Sequence, residues 1–364
     1  MKVACLYFGR KGGCGRYALE VSKALSKKAT IRAFISNQNY YYEEWVDTIE
    51  HVESFDTYKG VISGVRNTLN PNKYLKISDR ISSFNPDVVY YPMIHPWSPA
   101  LNYILEYPIV STVHDPRLLK GNHNYLLAPA QAISLRQSTR LVTLTENAKD
   151  ELLRKGYSEE SIDVIPHGNM SGQSSLDEQP DYQKYSSKAL LFFGKLRTYK
   201  GLDNLLEAYS SLIKPKIPDV TLWVVGEGNI SRYGKRIELR ESIKVVNKWV
   251  PDSELSTYFR RACALVAPYT FASQSGVIPL AYAHYTPVIC TDVGGLSEQV
   301  IDGKTGYVVE PNNQKEFANA CISLLSEPET ARTYGLNAFE VSSSDLNWDS
   351  VSMLVLDTLQ KAHS

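Results

Sequence analysis

Three cations stand within six residues near the middle of the chain: Lys195, Arg197 and Lys200, in LLFFGKLRTYKGLDNLLEAY. The apolar run Leu190 to Phe193 reads as a buried strand, Gly194 ends it, and Gly201 opens an amphipathic helix. The carboxyl end of such a strand is where anions bind, because loop amides and helix N-termini collect there. Clustered cations at that place can neutralise a diphosphate leaving group as its charge grows, without a metal. The competing reading is a solvated basic loop.

Two further segments have the same character. FGRKGGCGRYALEVSKAL puts Gly12, Gly13 and Gly15 between a strand ending at Phe8 and a helix expected near Gly15. Glycines there let a ligand approach the backbone, and Arg10, Lys11 and Arg16 add positive charge. The spacing is GGxG, not GxGxxG, and the second strand, IRAFIS, ends without an acid, so a dinucleotide cofactor does not fit. In PYTFASQSGVIPLAYAHYTPVICTDVGG, Ser273, Gln274, Ser275 and Gly276 precede an apolar helical stretch, 277–284. Serine is a good N-cap, so this is a second candidate helix N-terminus for an anion. His114, in VHDP, ends a buried strand. From composition alone it is a core or turn histidine, with Asp115 before Pro116 as turn former. His167, in VIPHG, reads as structural.

These residues need a scaffold that gathers strand ends. Short apolar runs alternate with amphipathic stretches, with strands at 3–8, 31–35, 87–91, 109–113, 141–145 and 162–165. A second set falls at 189–193, 220–225, 243–246, 263–267, 287–290 and 306–309. Uniformly apolar strands alternating with helices predict parallel sheets covered on both faces, here two doubly wound α/β domains. The chain has 364 residues, too many for one ordinary core. The domains are expected at 1–172 and 187–344, with a polar linker at 173–186 inside the stretch 170–187. A final helix over 345–364 carries Trp348, Val351, Leu354, Val355 and Leu359 in one stripe.

Net charge is zero, which excludes nucleic acid as the main partner. Residues 1–170 hold 20 Lys and Arg against 17 Asp and Glu, a +3 half. With Arg117, Lys120, Arg136 and Arg140 this motivates a peripheral contact at an anionic membrane surface. The five cysteines are scattered without a CxxC pair, so neither zinc nor a disulfide framework fits, and a reducing, cytoplasmic compartment is expected. MKVACLYFGR reads as a strand rather than a signal peptide, and no stretch reaches the roughly 18 to 20 apolar residues of a membrane span.

Together these segments resemble retaining glycosyltransferase family 4, whose GT-B architecture sets two facing Rossmann-like domains around a cleft. The resemblance runs the full length: GGxG at 12–15, VHDP at 113–116, VIPHG at 164–168, FFGKLRTYKG at 192–201, WVPDSEL at 249–255, SQSG at 273–276, TPVICTDVGG at 286–295 and IDGKTGYVV at 301–309. It implies transfer of a sugar from a UDP- or GDP-sugar, without metal or cofactor, to a glycan or polyprenyl-linked glycolipid in surface polysaccharide synthesis. Lys195 and Lys200 take the diphosphate-clamping positions, the first usually Arg. A lysine gives a point charge where arginine gives a fork, and Arg197 stands near to compensate. Gly13 lines the diphosphate, with Gly12 beside it. Val250 meets the base through its backbone, and Ser275 and Gly276 offer amides. His114 approaches the donor sugar or acceptor, and the last helix returns to the first domain. The family's two glutamates, eight positions apart, are replaced by Ala272 and Leu280, and an acid sometimes found at the position of Phe271 is missing too. In this the chain resembles an SQSG-type subset lacking the pair. Glu298 is expected to cap or brace a helix. A nucleotide-sugar epimerase and a degenerate sugar-nucleotide-binding subunit are the alternatives; acceptor-dependent nucleotide release separates them.

Overall fold

Strand β1 (Lys2–Tyr7) shows how the sheets are built. Val3, Cys5 and Tyr7 enter one apolar cluster, while Ala4 and Leu6 enter another on the opposite face. A strand buried on both faces lies inside a parallel sheet with helices above and below. The computed structural model describes every residue except 118–127, 171–180 and 239–240. Its described residues form two units: Met1–Gly168 with Asn347–Ser364, and Asn169–Leu346.

The first unit adds β2 (Thr30–Ser36), β3 (His51–Phe55), β4 (Val88–Tyr91), β5 (Ile109–Val113), β6 (Arg140–Thr143) and β7 (Ile162–Val164). The sheet order is β3-β2-β1-β4-β5-β6-β7, with Val3 opposite Ile31 on one side and Val88 on the other, all pairs parallel. The sequence pattern misses β3, because HVESF is a half-exposed edge strand with a glutamate and no apolar run. The first helix spans Gly13–Ser26, two residues earlier than expected, with Gly12 as N-cap at φ 107°.

The second unit adds β8 (Ala189–Phe193), β9 (Thr221–Val225), β10 (Ile243–Val246), β11 (Ala264–Ala267), β12 (Val288–Thr291) and β13 (Gly306–Val309). The order is β10-β9-β8-β11-β12-β13, again parallel, with Leu190 between Leu222 and Ala264. Leu190 and Phe192 enter one cluster and Leu191 the other, repeating the alternation of β1. In both sheets strand order reverses beside the first strand, and ligands bind at the carboxyl ends at such a switch point.

Much of the polar stretch read as a linker lies outside the described residues. Its end differs from that reading: Tyr182–Ser186 form a helical turn with Lys184 and Tyr185 buried. The Lys184 ammonium donates to the carbonyls of His284 (2.7 Å) and Phe259 (3.3 Å) and to Thr286 Oγ1 (2.9 Å), so this turn is part of the second unit's core. The final helix, Trp348–His363, buries Val351, Val355, Leu359 and Ala362 against the first unit. Leu354 is 47% exposed and falls outside the stripe that the sequence suggests. Among the described residues no helix is long and apolar enough to cross a membrane.

Candidate functional site

The loop after β8 holds its last cation in a specific way. Thr198–Lys200 form a single 3-10 turn, and Gly201 leaves it at φ 71°, turning the chain into the helix Leu202–Ala208. This brings the Lys200 ammonium back over the end of β8, where a Cβ on Gly194 would stand 2.6 Å from Nζ. Nζ donates to Tyr269 Oη (2.9 Å), lies 4.9 Å from the Tyr269 ring centroid and approaches Phe193 O (3.4 Å). Lys200 is buried, and among the described residues no carboxylate pairs with it. Burial pulls its pKa down, but the oxygens of Tyr269 and Tyr199 outweigh burial and the net shift is upward. The group is therefore a charged ammonium that has no carboxylate partner among the described residues and can take an incoming anion.

Tyr269, just past β11, links Lys200 to the Ser-Gln-Ser-Gly turn. Its hydroxyl lies 3.4 Å from Ser275 Oγ. Gln299 then grips Ser275 at both backbone groups: Ser275 N donates to Oε1 (2.7 Å), and Nε2 donates to Ser275 O (3.2 Å). Two expectations are corrected here. The N-cap of the helix Val277–Ala283 is Gly276, without a side-chain cap, and Ser275 Oγ only accepts from Val277 N at 3.4 Å. The Ser275 amide, expected to meet a ligand, is held by Gln299. The Gln274 Oε1 is buried without a protein partner, an unfilled hydrogen-bond acceptor on the same turn. Ser273 is buried beside it.

Of the other residues singled out, Lys195 is exposed and Arg197 half-buried at the start of the 3-10 turn. Val250 is buried among apolar neighbours before the helix Asp252–Phe259. Ala272 and Leu280, at the positions of the missing glutamates, are both packed in the core. Glu298 stands in the first turn of the helix Leu296–Gln299. Sequence reasoning missed Tyr269 and Gln299. Tyr269 sits one residue after a strand-ending Pro268, and that strand-end position was the available signal. Gln299, 24 residues from Ser275, gave none.

In the first unit, His114 ends β5. Its Nε2 lies 2.9 Å from Pro92 O. A carbonyl only accepts, so Nε2 carries the proton and Nδ1 keeps its lone pair. That Nδ1 is buried without a partner. Burial depresses the His114 pKa, only partly offset by the Pro92 bond, so the ring is neutral and presents an acceptor. Its ring meets Tyr17 edge-on at 4.9 Å; Tyr17 is in the helix that Gly12 and Gly13 open. His167 lies against the same tyrosine, with Nδ1 donating to Gly168 O, and burial pushes its pKa down to about 4. Arg16 does not add free charge to the glycine loop, because Glu20 (3.1 Å) and Glu44 (2.5 Å) hold it.

The cations considered for a membrane contact are mostly engaged. Arg117 pairs with Glu151, and Arg140 with Asp163 at 2.9 Å. Arg136 is exposed, and Lys120 lies outside the described residues. Among the described residues no group of three or more His, Cys, Asp and Glu side chains could hold a metal ion. The five cysteines are free.

Comparison with known proteins joins the two units to one family of descriptions. The model for glycosyl transferases group 1 matches residues 187–327, and that for Glycosyltransferase Family 4 matches 11–168. Glycogen synthase of Mycobacterium tuberculosis is 28% identical over 289 residues, covering 74% of this chain and 67% of the relative. D-inositol 3-phosphate glycosyltransferase of Paenarthrobacter aurescens is 29% identical over 247 residues, covering 62% of this chain and 58% of the relative. The matches thus span only three-fifths to two-thirds of those relatives. Anabaena Alr3699/HepE, solved in complex with UDP-glucose, superposes with a TM-score of 0.77 at 17% identity, covering 99% of this chain and 100% of that one. Sucrose-phosphate synthase from Thermosynechococcus elongatus gives 0.77 at 18% identity, covering 99% of each. At these identities the structures speak to the fold, which is of the GT-B type.

Proposed function

We propose that this chain, which belongs to the group 1, family 4 glycosyltransferases, moves a sugar from a UDP- or GDP-sugar to a hydroxyl of a glycan or polyprenyl-linked glycolipid with retention and without a metal. The observation that carries the reading is the buried Lys200 ammonium, which donates to the Tyr269 hydroxyl and, among the described residues, lacks a carboxylate partner. Such a charge is available in full to a diphosphate, and it strengthens its hold as the leaving group gains charge. Lys195 and Arg197, on the same loop, screen the outer phosphate oxygens. UDP is favoured by the likeness to Anabaena HepE, solved with UDP and with UDP-glucose.

The bond from the anomeric carbon to the diphosphate oxygen breaks, and the acceptor oxygen bonds that carbon on the same face. The acceptor proton passes to the departing diphosphate, so no protein nucleophile is needed. Gln274 Oε1 and His114 Nδ1 are buried acceptors without partners. Gln274 Oε1 offers a place for a sugar hydroxyl in the second unit, on the Ser-Gln-Ser-Gly turn near the positions of the missing glutamates, and His114 Nδ1 is an acceptor of the first unit. Val250 backbone contacts to the base, and the glycine loop at Gly12 and Gly13, complete the reading. A soluble enzyme of the cytoplasm, at the inner membrane face when its acceptor is lipid-linked, fits the same chemistry.

Nucleotide release, measured with and without acceptor in EDTA, tests this proposal. Acceptor-dependent UDP release in EDTA is the expected result. Binding without release makes the chain a sugar-nucleotide-binding subunit, and acceptor-independent release with an altered sugar makes it an epimerase. Loss in EDTA, restored by magnesium or manganese, overturns the metal-free mechanism. A rise in melting temperature with UDP gives the binding readout, since ligand at about 100 times Kd stabilises by about 2.7 kcal/mol.

Gly276 supplies a second test. Its φ of −67° and ψ of −8° suit any residue, so Gly276→Val leaves the backbone unstrained. A side chain there blocks a phosphate or sugar from the turn, and UDP affinity is expected to fall by about 10- to 100-fold, roughly 1.4 to 2.8 kcal/mol. Calorimetric titration reads it. Unchanged affinity in a folded variant removes 273–276 from the donor site.

A further inference from the structure

Both backbone groups of Ser275 are spent on one side chain from another loop. Ser275 N donates to Gln299 Oε1 (2.7 Å), and Gln299 Nε2 donates to Ser275 O (3.2 Å). An uncharged amide closes this pair because it carries one acceptor and one donor on the same group. An apolar residue supplies neither, and a carboxylate supplies two acceptors. Gln299 is itself pinned from behind. It ends the short helix Leu296–Gln299, and its carbonyl accepts from Tyr282 Oη (3.0 Å). The same hydroxyl lies 2.5 Å from Thr305 Oγ1, which accepts from Ile301 N (2.9 Å). Leu296 and Val300, which flank this stretch, are buried.

The grip acts on a residue that touches the cation site. Ser275 Oγ lies 3.4 Å from Tyr269 Oη, and that hydroxyl accepts from Lys200 Nζ at 2.9 Å. Accepting from the ammonium frees the tyrosine proton for Ser275 Oγ. One residue before Ser275, Gln274 Oε1 is a buried acceptor without a protein partner. We propose that Gln299 is a positioning residue of the donor site. It fixes Ser275, so that Tyr269 holds the Lys200 ammonium over the end of β8 and Gln274 keeps its acceptor open to a nucleotide-sugar. Without Gln299 the two backbone groups turn to water, and the turn takes several conformations. Tying both at folding removes that ordering cost from each binding event. The inference rests on the proposed donor site and adds to it a part from the loop after β12.

Calorimetric titration of UDP into the whole chain tests it, with Gln299→Leu and Gln299→Glu beside the wild type. Gln299→Leu should lose about tenfold or more in UDP affinity at every pH. Gln299→Glu separates positioning from packing. Its protonated carboxyl has one acceptor and one O–H donor and reproduces the amide, whereas its carboxylate sets a second acceptor against Ser275 O. That opposition, at a half-buried position, raises the carboxyl pKa above the ordinary glutamate value. Of the charged groups on the segments around it, Glu298, Asp302 and Asp292 raise it further, while Lys304 and Lys200 pull it back. Relative to wild type at the same pH, Gln299→Glu should bind UDP as weakly as Gln299→Leu at about pH 8 and recover to within about threefold at about pH 5.5. Circular dichroism at both pH values should show both variants folded. A glutamine that only packed would leave a deficit in Gln299→Glu that pH does not change. The proposal is overturned by that result, by a Gln299→Leu variant that titrates within about threefold of wild type, or by a wild type that binds no UDP. Failure of the transfer reading shows up separately, as absence of acceptor-dependent nucleotide release from a wild type that binds UDP.

Discussion

Lys200→Ala should lower the turnover of sugar transfer by about 10²- to 10³-fold, the usual cost of removing one preorganised group that meets charge developing in a transition state, about 2.7 to 4 kcal/mol. The stability effect should be small. Without ligand, Lys200 is a buried ammonium that donates to Tyr269 Oη and, among the described residues, pairs with no carboxylate. Its desolvation is offset by Tyr269 and Tyr199, so the melting temperature of the free variant should stay close to that of wild type. The rise on adding UDP should disappear. Lower turnover with an unchanged melting point separates a ligand-facing cation from a structural one, whose loss would lower both. Tyr269→Phe removes the hydroxyl that holds Nζ and is expected to cost about tenfold, as one hydrogen bond to a charged group is worth roughly 1.5 kcal/mol or more. Its effect should fall on turnover more than on KM. Turnover within a few-fold of wild type in Lys200→Ala would remove this residue from the diphosphate clamp.

Much of this arrangement was legible from the chain. Leu190 to Phe193 and Val3 to Phe8 announce central strands because both faces of such strands are buried and every position is apolar. The edge strand β3 was not legible, since one side faces water and HVESF carries no continuous apolar run. The cation cluster was visible as a cluster, but not its division of labour. Lys195 and Lys200 look alike in sequence, yet one is exposed and the other buried. That difference comes from a 3-10 turn and a left-handed glycine, local geometry that composition does not encode. The Ser-Gln-Ser-Gly turn was found for the wrong detail. Its first expected donor, the Ser275 amide, is taken by Gln299, a contact across 24 residues that only the fold creates. The histidine was placed by its strand end, while the free Nδ1 required knowing that Nε2 meets Pro92 O. Pairwise contacts between side chains far apart in sequence are what a single sequence hides, and here they decide which groups stay open to a ligand.

Gly201→Ala should be strongly damaging for a change of a single methyl group. Gly201 has φ 71° and ψ 24°, the left-handed region, where a non-glycine residue costs roughly 1 to 2 kcal/mol. The added Cβ would also stand 1.7 Å from Pro268 O and 2.8 Å from Pro268 C. Those are backbone atoms, so no side chain can swing aside, and the turn after β8 must separate from the segment after β11. Lys200 lies one residue before this contact and Tyr269 one residue after it. The forced separation therefore pulls apart the 2.9 Å bond between them. A total loss of about 3 kcal/mol or more is expected, a fall in melting temperature of about 6 to 12 °C for a unit of this size. Transfer should fall nearly as far as in Lys200→Ala, although every charged group is still present. Gly60→Ala is the control: Gly60 has an extended φ of −164°, and its Cβ would meet nothing within 4 Å. Calorimetry should find that variant within about half a kcal/mol of wild type. If Gly201→Ala melts like the control and transfers sugar normally, the close approach of these two loops does not hold Lys200 in place, and the clamp must be positioned by some other contact.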